Sequence, residues 1–553
     1  MEKKAKKDTS ALLPAVLTLF LLLSPGFAGN AQHEHMHDDH PVPEGTSVGH
    51  IDFGVSCSEG AREDFDYALG MMHHMMYVSA RAAFEEIIDN HPECAMAYWG
   101  VATTLFQPLW GTRPSQEELQ RGWRKVEKAR ELEHSGREKY LIESTAEFFR
   151  DPGSDEFWPR LERWASGIEA AYQAYPDDAD VAALYGLSLL TLAQRAEAEA
   201  RNSLLDEAEE VLRNVFEQIP THPGAIHYSI HATDVDGRAE NALDMVEVYG
   251  EIAPEVPHAL HMPSHIYVRL GDWHEVIEWN LASARAALDF PVENAESHHY
   301  VHAIDYLVYA WLQKGEDEKA GSYFEEAISK DRHQGTFVSA FHMAAMPARL
   351  AVEQRDWEKA ATLEPRVPEY LPWDESPWAE GLTWYARGMG AVHTGNIREA
   401  LNSKNRLIKL REKAVDAGDQ AMAAYIETDR LVLSGWIAHV QGDQGKAVEL
   451  LQSAAEIERS VEKHPVTPGA LMPPNEALGD LLMELGRPEE ALEAYRASDN
   501  IWPERYNTLL GAVRAAREAG KPEMADHFFE RLLSVAGDSD RLQNDEALIL
   551  VSE

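Results

Sequence analysis

The sequence predicts an all-α solenoid, a right-handed stack of helix-turn-helix repeats, and three observations carry that expectation. A small residue, a large one four positions later and a proline twelve positions after the first recur as Ala80/Phe84/Pro92, Ala208/Leu212/Pro220 and Ala491/Tyr495/Pro503. Other copies lack the proline but keep a glycine five residues before the alanine: Gly315/Ala320/Phe324, Gly395/Ala400 and Gly442/Ala447/Leu451. Strand signals are scarce, while Ala, Leu and Glu are abundant.

The fullest copy, Leu478-Gly479, Leu482, Gly486, Ala491, Tyr495 and Pro503, is the tetratricopeptide (TPR) pattern. In it small residues let two helices approach and the large residue fills the gap between repeats. A chain of 553 residues would ordinarily split into several globular domains, but a solenoid grows by stacking and needs no such division.

From the N-terminus, Lys3, Lys4, Lys6 and Lys7 precede the apolar run Ala11 to Leu23, with small residues at Gly26, Ala28, Gly29 and Ala31. This reads as a signal peptide over residues 1–31, and so as a periplasmic or secreted protein. Residues 32–58 form a polar, flexible segment in which His33, His35, His37 and His40 are a weak metal-capturing tract or an inert linker. The repeat array is expected over 59–540 and a tail over 541–553. No second apolar run is long enough to span a bilayer. Cys57 and Cys94, the only cysteines, suit a disulfide that staples the first repeat in an oxidising compartment.

A net charge of -44 argues against nucleic acid or an anionic membrane as partner, since both require basic patches. Phosphate loops, His-Glu-x2-His, Cys-x2-Cys-His and Gly-x-Ser-x-Gly motifs are missing from the sequence. Met71, Met72, Met75 and Met76, and the tryptophans Trp99, Trp110, Trp123, Trp158 and Trp164, read as packing residues.

The chemistry-bearing signal is histidine at helical spacing: His227, His231 and Asp234; His258, His261 and His265; His302 and Asp305. Offsets of 3, 4 and 7 place side chains on one helix face. Counting from Pro220 puts His227, His231 and Asp234 at repeat positions 5, 9 and 12. Aligning Gly271 with the position-15 glycine gives His258, His261 and His265 positions 2, 5 and 9. Aligning Gly315 gives His302 position 2, Asp305 position 5 and Tyr309 position 9. His342 takes position 2 of the next repeat if Arg355 stands where the turn glycine would be. With 25 histidines in the chain, twelve such positions should hold fewer than one by chance, and six of them are histidine. Pro263 is expected to kink the helix if it starts at Pro257.

The segments Cys94-Ala-Met-Ala-Tyr-Trp-Gly100, His222-Pro-Gly-Ala-Ile-His-Tyr-Ser-Ile-His-Ala232 and His258-Ala-Leu-His-Met-Pro-Ser-His-Ile-Tyr267 resemble a group of exported bacterial TPR proteins. The resemblance implies an α-solenoid, export, and a concave groove lined by the first helix of each repeat. It implies no activity.

Three functions are compatible with these residues. In the first, the groove binds a divalent transition metal, copper, zinc or iron, with His227, His231, His258, His261, His265 and His302 as ligands around one ion and Asp234 and Asp305 as further ligands or as orienters of the rings. In the second, the groove holds a peptide or protein, with Arg269 and Arg349 as carboxylate partners and tyrosines satisfying the histidines. In the third, the metal is that of a hydrolase or oxidase, and the insertion Phe290 to Ser297 is its lid.

Overall fold

A computed structural model describes residues 46–110, 113–153, 157–196, 198–537 and 539–543. The expected signal peptide, the tract His33 to His40 and most of the C-terminal tail lie outside these residues. The N-terminal third contains α1 (Glu59–His73), α2 (Tyr77–Asn90), α3 (Ala95–Phe106), α4 (Gln116–Glu131), α5 (Gly136–Phe149), α6 (Phe157–Ala174), α7 (Ala179–Ala193) and α8 (Ala198–Gln218). The middle contains α9 (Pro223–Thr233), α10 (Leu243–Ile252), α11 (Pro257–His261), α12 (Pro263–Leu270), α13 (Trp273–Ala287), α14 (His298–Gln313), α15 (Asp317–Ile328) and α16 (Phe337–Glu353). Then follow α17 (Trp357–Ala361), α18 (Pro377–His393), α19 (Ile397–Asp416), α20 (Gln420–Val440), α21 (Gln444–Ser460), α22 (Pro474–Glu484), α23 (Pro488–Ile501), α24 (Tyr506–Glu518) and α25 (Pro522–Ala536).

Each helix packs on its successor, and alternate helices α14, α16, α18 and α20 also pack on one another. That is the layering of a TPR-type α-solenoid. The turns between paired helices share a local device. A left-handed residue closes one helix, and the next residue caps the following one. Gly271, Gly395, Gly418 and Gly442 have positive φ, and Asp272, Asn396, Asp419 and Asp443 accept the amides of Glu275, Glu399, Met422 and Lys446. Each cap contributes about 1 kcal/mol. Arg355 occupies the same place with φ 57°, followed by Asp356 capping Lys359, which fixes the register that sets His342 at position 2.

Pro263 interrupts the hydrogen-bond ladder between α11 and α12, but Met262 keeps helical φ and ψ. The chain therefore continues along a helical path from Pro257, and His258, His261 and His265 stay on it. The Cys57–Cys94 disulfide is formed. It ties the segment before α1 to the N-terminus of α3 across 37 residues, a closure that the chain-entropy relation values at about 4 kcal/mol.

Two apolar clusters make up the core. One runs from Val48 to Phe290 and the other from Val268 to Leu542. They interleave at α12, where Ile266 belongs to the first, Val268 to the second, and Tyr267 packs against both. The histidines lie at this seam.

The inner face is not the open groove that the resemblance to TPR proteins implies. His227, His258, His261, His265 and His302 are all buried. Repeats distant in sequence close over them: α1 packs on α9, and α14 on α24. The segment 461–473 between α21 and α22 lies across the end of α9 and across α14 and α16, through Lys463 on Asp234, Pro465 accepting from the Tyr306 hydroxyl, and Gly469 accepting from Arg349. The insertion Phe290 to Ser297 instead pairs with residues 332–334 at the edge of the array.

Candidate metal centre

The imidazoles resolve into separate groups. His261, His265 and His302 each offer a ring nitrogen within 4.8 Å of the others, and so do His227, His231 and His258. Asp234 and Asp305, for which the sequence leaves ligand or orienter open, stand behind the rings and accept from His265 and His342. Both carboxylates are occupied by cations: Asp234 by Arg269 at 2.8 Å and Lys463 at 3.0 Å, Asp305 by Arg349 at 2.9 Å. Burial raises the pKa of each carboxyl, and these cations outweigh it and hold both carboxyls low.

Proton positions in the His261/His265/His302 group follow from its partners. His265 Nδ1 lies 3.0 Å from Asp234 Oδ2. An ionised carboxylate only accepts, so this nitrogen carries the hydrogen. His261 Nδ1 lies 2.7 Å from Asn280 Oδ1, and the Asn280 amide nitrogen is committed to the Val276 carbonyl, so His261 Nδ1 is also the donor. Both Nε2 atoms are then bare, and they face each other 3.0 Å apart. Two lone pairs at that distance repel unless a cation sits against both.

His302 is set by a relay. His342 Nδ1 donates to Asp305 Oδ2 at 2.9 Å, and its bare Nε2 accepts from His302 Nδ1 at 2.7 Å. The free nitrogen of His302 is Nε2, on a ring 4.1 Å from that of His261. Burial pushes the His261 and His302 pKa values well below the ordinary range and lowers that of His265. A shared proton is therefore a poor cation for this place. Nitrogens bound to one ion at about 2.0–2.1 Å stand roughly 3 Å apart.

The tyrosines do not satisfy these rings. Tyr306 donates to Pro465, Tyr300 to Glu326, and Tyr228 meets His73. Arg269 and Arg349, read as carboxylate partners for a bound peptide, are spent on Asp234 and Asp305.

In the second group His227 Nδ1 donates to the His73 carbonyl at 2.8 Å, leaving Nε2 bare. His227 Nε2, His231 Nε2 and both nitrogens of His258 are buried with no hydrogen-bond partner among the described residues. Trp110 packs on His258 with ring centroids 5.4 Å apart.

A third group, His73, Asp180 and His222, is arranged around a carboxylate. His73 Nε2 and His222 Nε2 both point at Asp180 Oδ1, at 3.1 and 3.3 Å. His73 Nδ1 meets the Tyr228 hydroxyl, and His222 Nδ1 accepts the Ala225 amide. Three of its four ring nitrogens are hydrogen-bonded and the fourth, His222 Nε2, stands against the Asp180 carboxylate without forming a hydrogen bond, so a carboxylate accounts for the group.

Sequence reasoning missed Asn280, Lys463 and the third group. Asn280 lies on the outer helix of its pair, and Lys463 is 229 residues from Asp234, so no local periodicity marks either.

With this geometry in hand, comparison with known proteins places the class. A Tetratricopeptide repeat family profile matches residues 475–503, across α22 and α23, in keeping with the TPR-type layering of the helices. Solved structures share low identity. A human IFIT1 dimer with m7Gppp-AAAA is 11% identical over 88% of this chain and 97% of that one, with a TM-score of 0.35. The Cut9-Hcn1 hetero-tetramer of the APC/C is 11% identical over 87% of this chain and 89% of that one, with a TM-score of 0.29. At such TM-scores neither likeness carries functional weight. None of the curated proteins compared with the chain matches it.

Proposed function

We propose that this protein is a metal-binding TPR solenoid of the bacterial envelope, in which His261, His265 and His302 hold a first-row transition ion through Nε2. The observation that carries the reading is the pair of bare nitrogens 3.0 Å apart, whose Nδ1 hydrogens are already committed to Asn280 and Asp234. Rings backed by carboxylates or amides are the usual outer support of metal-bound histidine. Neutral imidazoles suit copper, zinc or iron. Export rests on the N-terminal sequence, and the Cys57–Cys94 bridge fits an oxidising compartment.

The alternative of a peptide-holding groove has the TPR framework in its favour, but segment 461–473 fills the face a peptide would use. Three protein ligands would leave a coordination position open, the arrangement of catalytic rather than closed structural zinc sites. A metal-dependent hydrolase or oxidase is therefore an extension of the same site.

Elemental analysis of chain purified without an affinity tag tests the proposal. At least one equivalent of copper, zinc or iron is expected, with one equivalent lost in His302→Ala. Trace metal only, or metal unaffected by that substitution, would overturn it.

A further inference from the structure

We infer that His227, His231 and His258 form a second metal site, adjacent to the first, so that the protein carries a pair of ions held by six imidazoles. The inference concerns different ligands from those of the proposed function, and the two can fail separately.

The argument starts from unmet hydrogen bonding. A buried nitrogen without a partner costs about 1–3 kcal/mol, and this group concentrates four of them on three neighbouring rings. His227 is held in one tautomer by the His73 carbonyl, so its Nε2 is a lone pair and not a donor. That tautomer is useless to any acceptor but suited to a cation. The neighbouring His73/Asp180/His222 group places both Nε2 atoms against a carboxylate, which the His227/His231/His258 group lacks among the described residues. His298, His333 and His393 also carry an unpartnered nitrogen, but only one each, whereas this group gathers four on three rings whose ligand atoms lie within 4.8 Å of one another.

Among the described residues no carboxylate joins these three rings within ligand distance, so the donor set is imidazole nitrogen alone. Such a set takes a borderline ion, copper or zinc, rather than calcium or magnesium, which need oxygen.

The two groups abut. Ring centroids of His258 and His261 are 6.3 Å apart, and those of His231 and His265 are 6.4 Å apart. Ions held by the two groups would lie side by side at the seam between the apolar clusters, and copper(II) ions so placed would be magnetically coupled.

The test uses the full, tag-free chain loaded with cupric ion and dialysed against a weak competing chelator. Two equivalents are expected to remain, one in His258→Gln and one in His302→Ala. The fourfold variant His33→Ala, His35→Ala, His37→Ala and His40→Ala is expected to keep both. Paramagnetic resonance of the wild-type chain needs no variant to fold, and it should show a coupled spectrum with a half-field signal. A single equivalent abolished by His302→Ala would overturn this inference and leave the proposed function standing. Two equivalents of which one is lost with the N-terminal tract would overturn it as well, as would two uncoupled copper signals.

Discussion

At the scale of single residues, the protein keeps an unusual number of imidazoles neutral by burying them. The sign of the consequence is fixed. Burial is the main cause that lowers the His74 pKa, to about 3, whereas in the unfolded chain it titrates near 6.5. Its contribution to stability is whole above pH 6.5 and is lost as pH falls from there towards 3, because only the unfolded state takes up the proton. At pH 5 this one ring costs about 2 kcal/mol. His74 binds Tyr249 and the Val48 carbonyl and is no candidate ligand, so the effect belongs to the metal-free protein. Urea titrations at pH 7 and pH 5 should show a loss of at least that size, and equal midpoints would contradict a neutral buried ring.

The residue scale was also where the sequence was most legible. Helical spacing and repeat register placed His227, His231, His258, His261, His265 and His302 on inner helices, and Arg355 in the turn position that its φ of 57° occupies. Spacing alone could not divide the six rings into two groups. The division depends on which nitrogen each ring has free, and that is decided by Asn280, His342 and the His73 carbonyl on other helices. The choice between ligand and orienter for Asp234 and Asp305 stayed open for the same reason: it turns on the arginines and lysine that claim the carboxylates from other elements.

Between elements, the supporting contacts cross from one repeat to the next. Asp234 follows α9 and orients His265 on α12, while Asp305 on α14 orients His342 on α16. Inner-face residues therefore do hold repeats together, contrary to what an open groove would imply. Asp305→Asn removes the charge that fixes His342, and through it His302. Loss of such an outer partner typically lowers metal affinity by about 10- to 100-fold. Competition with a chromophoric chelator should find a weakening in that range, and affinity equal to wild type would show that the relay does not act on the site. Arg349 keeps Gly469 and Thr467 as partners, so circular dichroism should report the helices retained.

Across the whole molecule, the late repeats are fastened to the middle ones by buried charge. Arg505 is fully buried and binds Tyr309 at 2.7 Å, Glu353 at 2.5 Å and Glu476 at 3.2 Å. Arg505→Met would strand two buried carboxylates, a change that costs about 3–5 kcal/mol. A drop of that size in the free energy of chemical denaturation is expected. A variant as stable as the wild type would mean that apolar packing alone holds α24 on α14. The repeat pattern made the helix order legible, but this return contact was not, since it joins positions 152 residues apart that share no periodicity.

The covering segment has a further consequence for how the protein comes to maturity. Lys463, which closes over Asp234, is made long after the last of the six histidines, His302. A chain emerging from its N-terminus therefore has every imidazole in place while the cover is still unsynthesised. During that interval the inner helices are open to whatever ions surround them, and later docking of the loop seals the choice. Metal selection would then be governed by the compartment in which the final third of the chain folds.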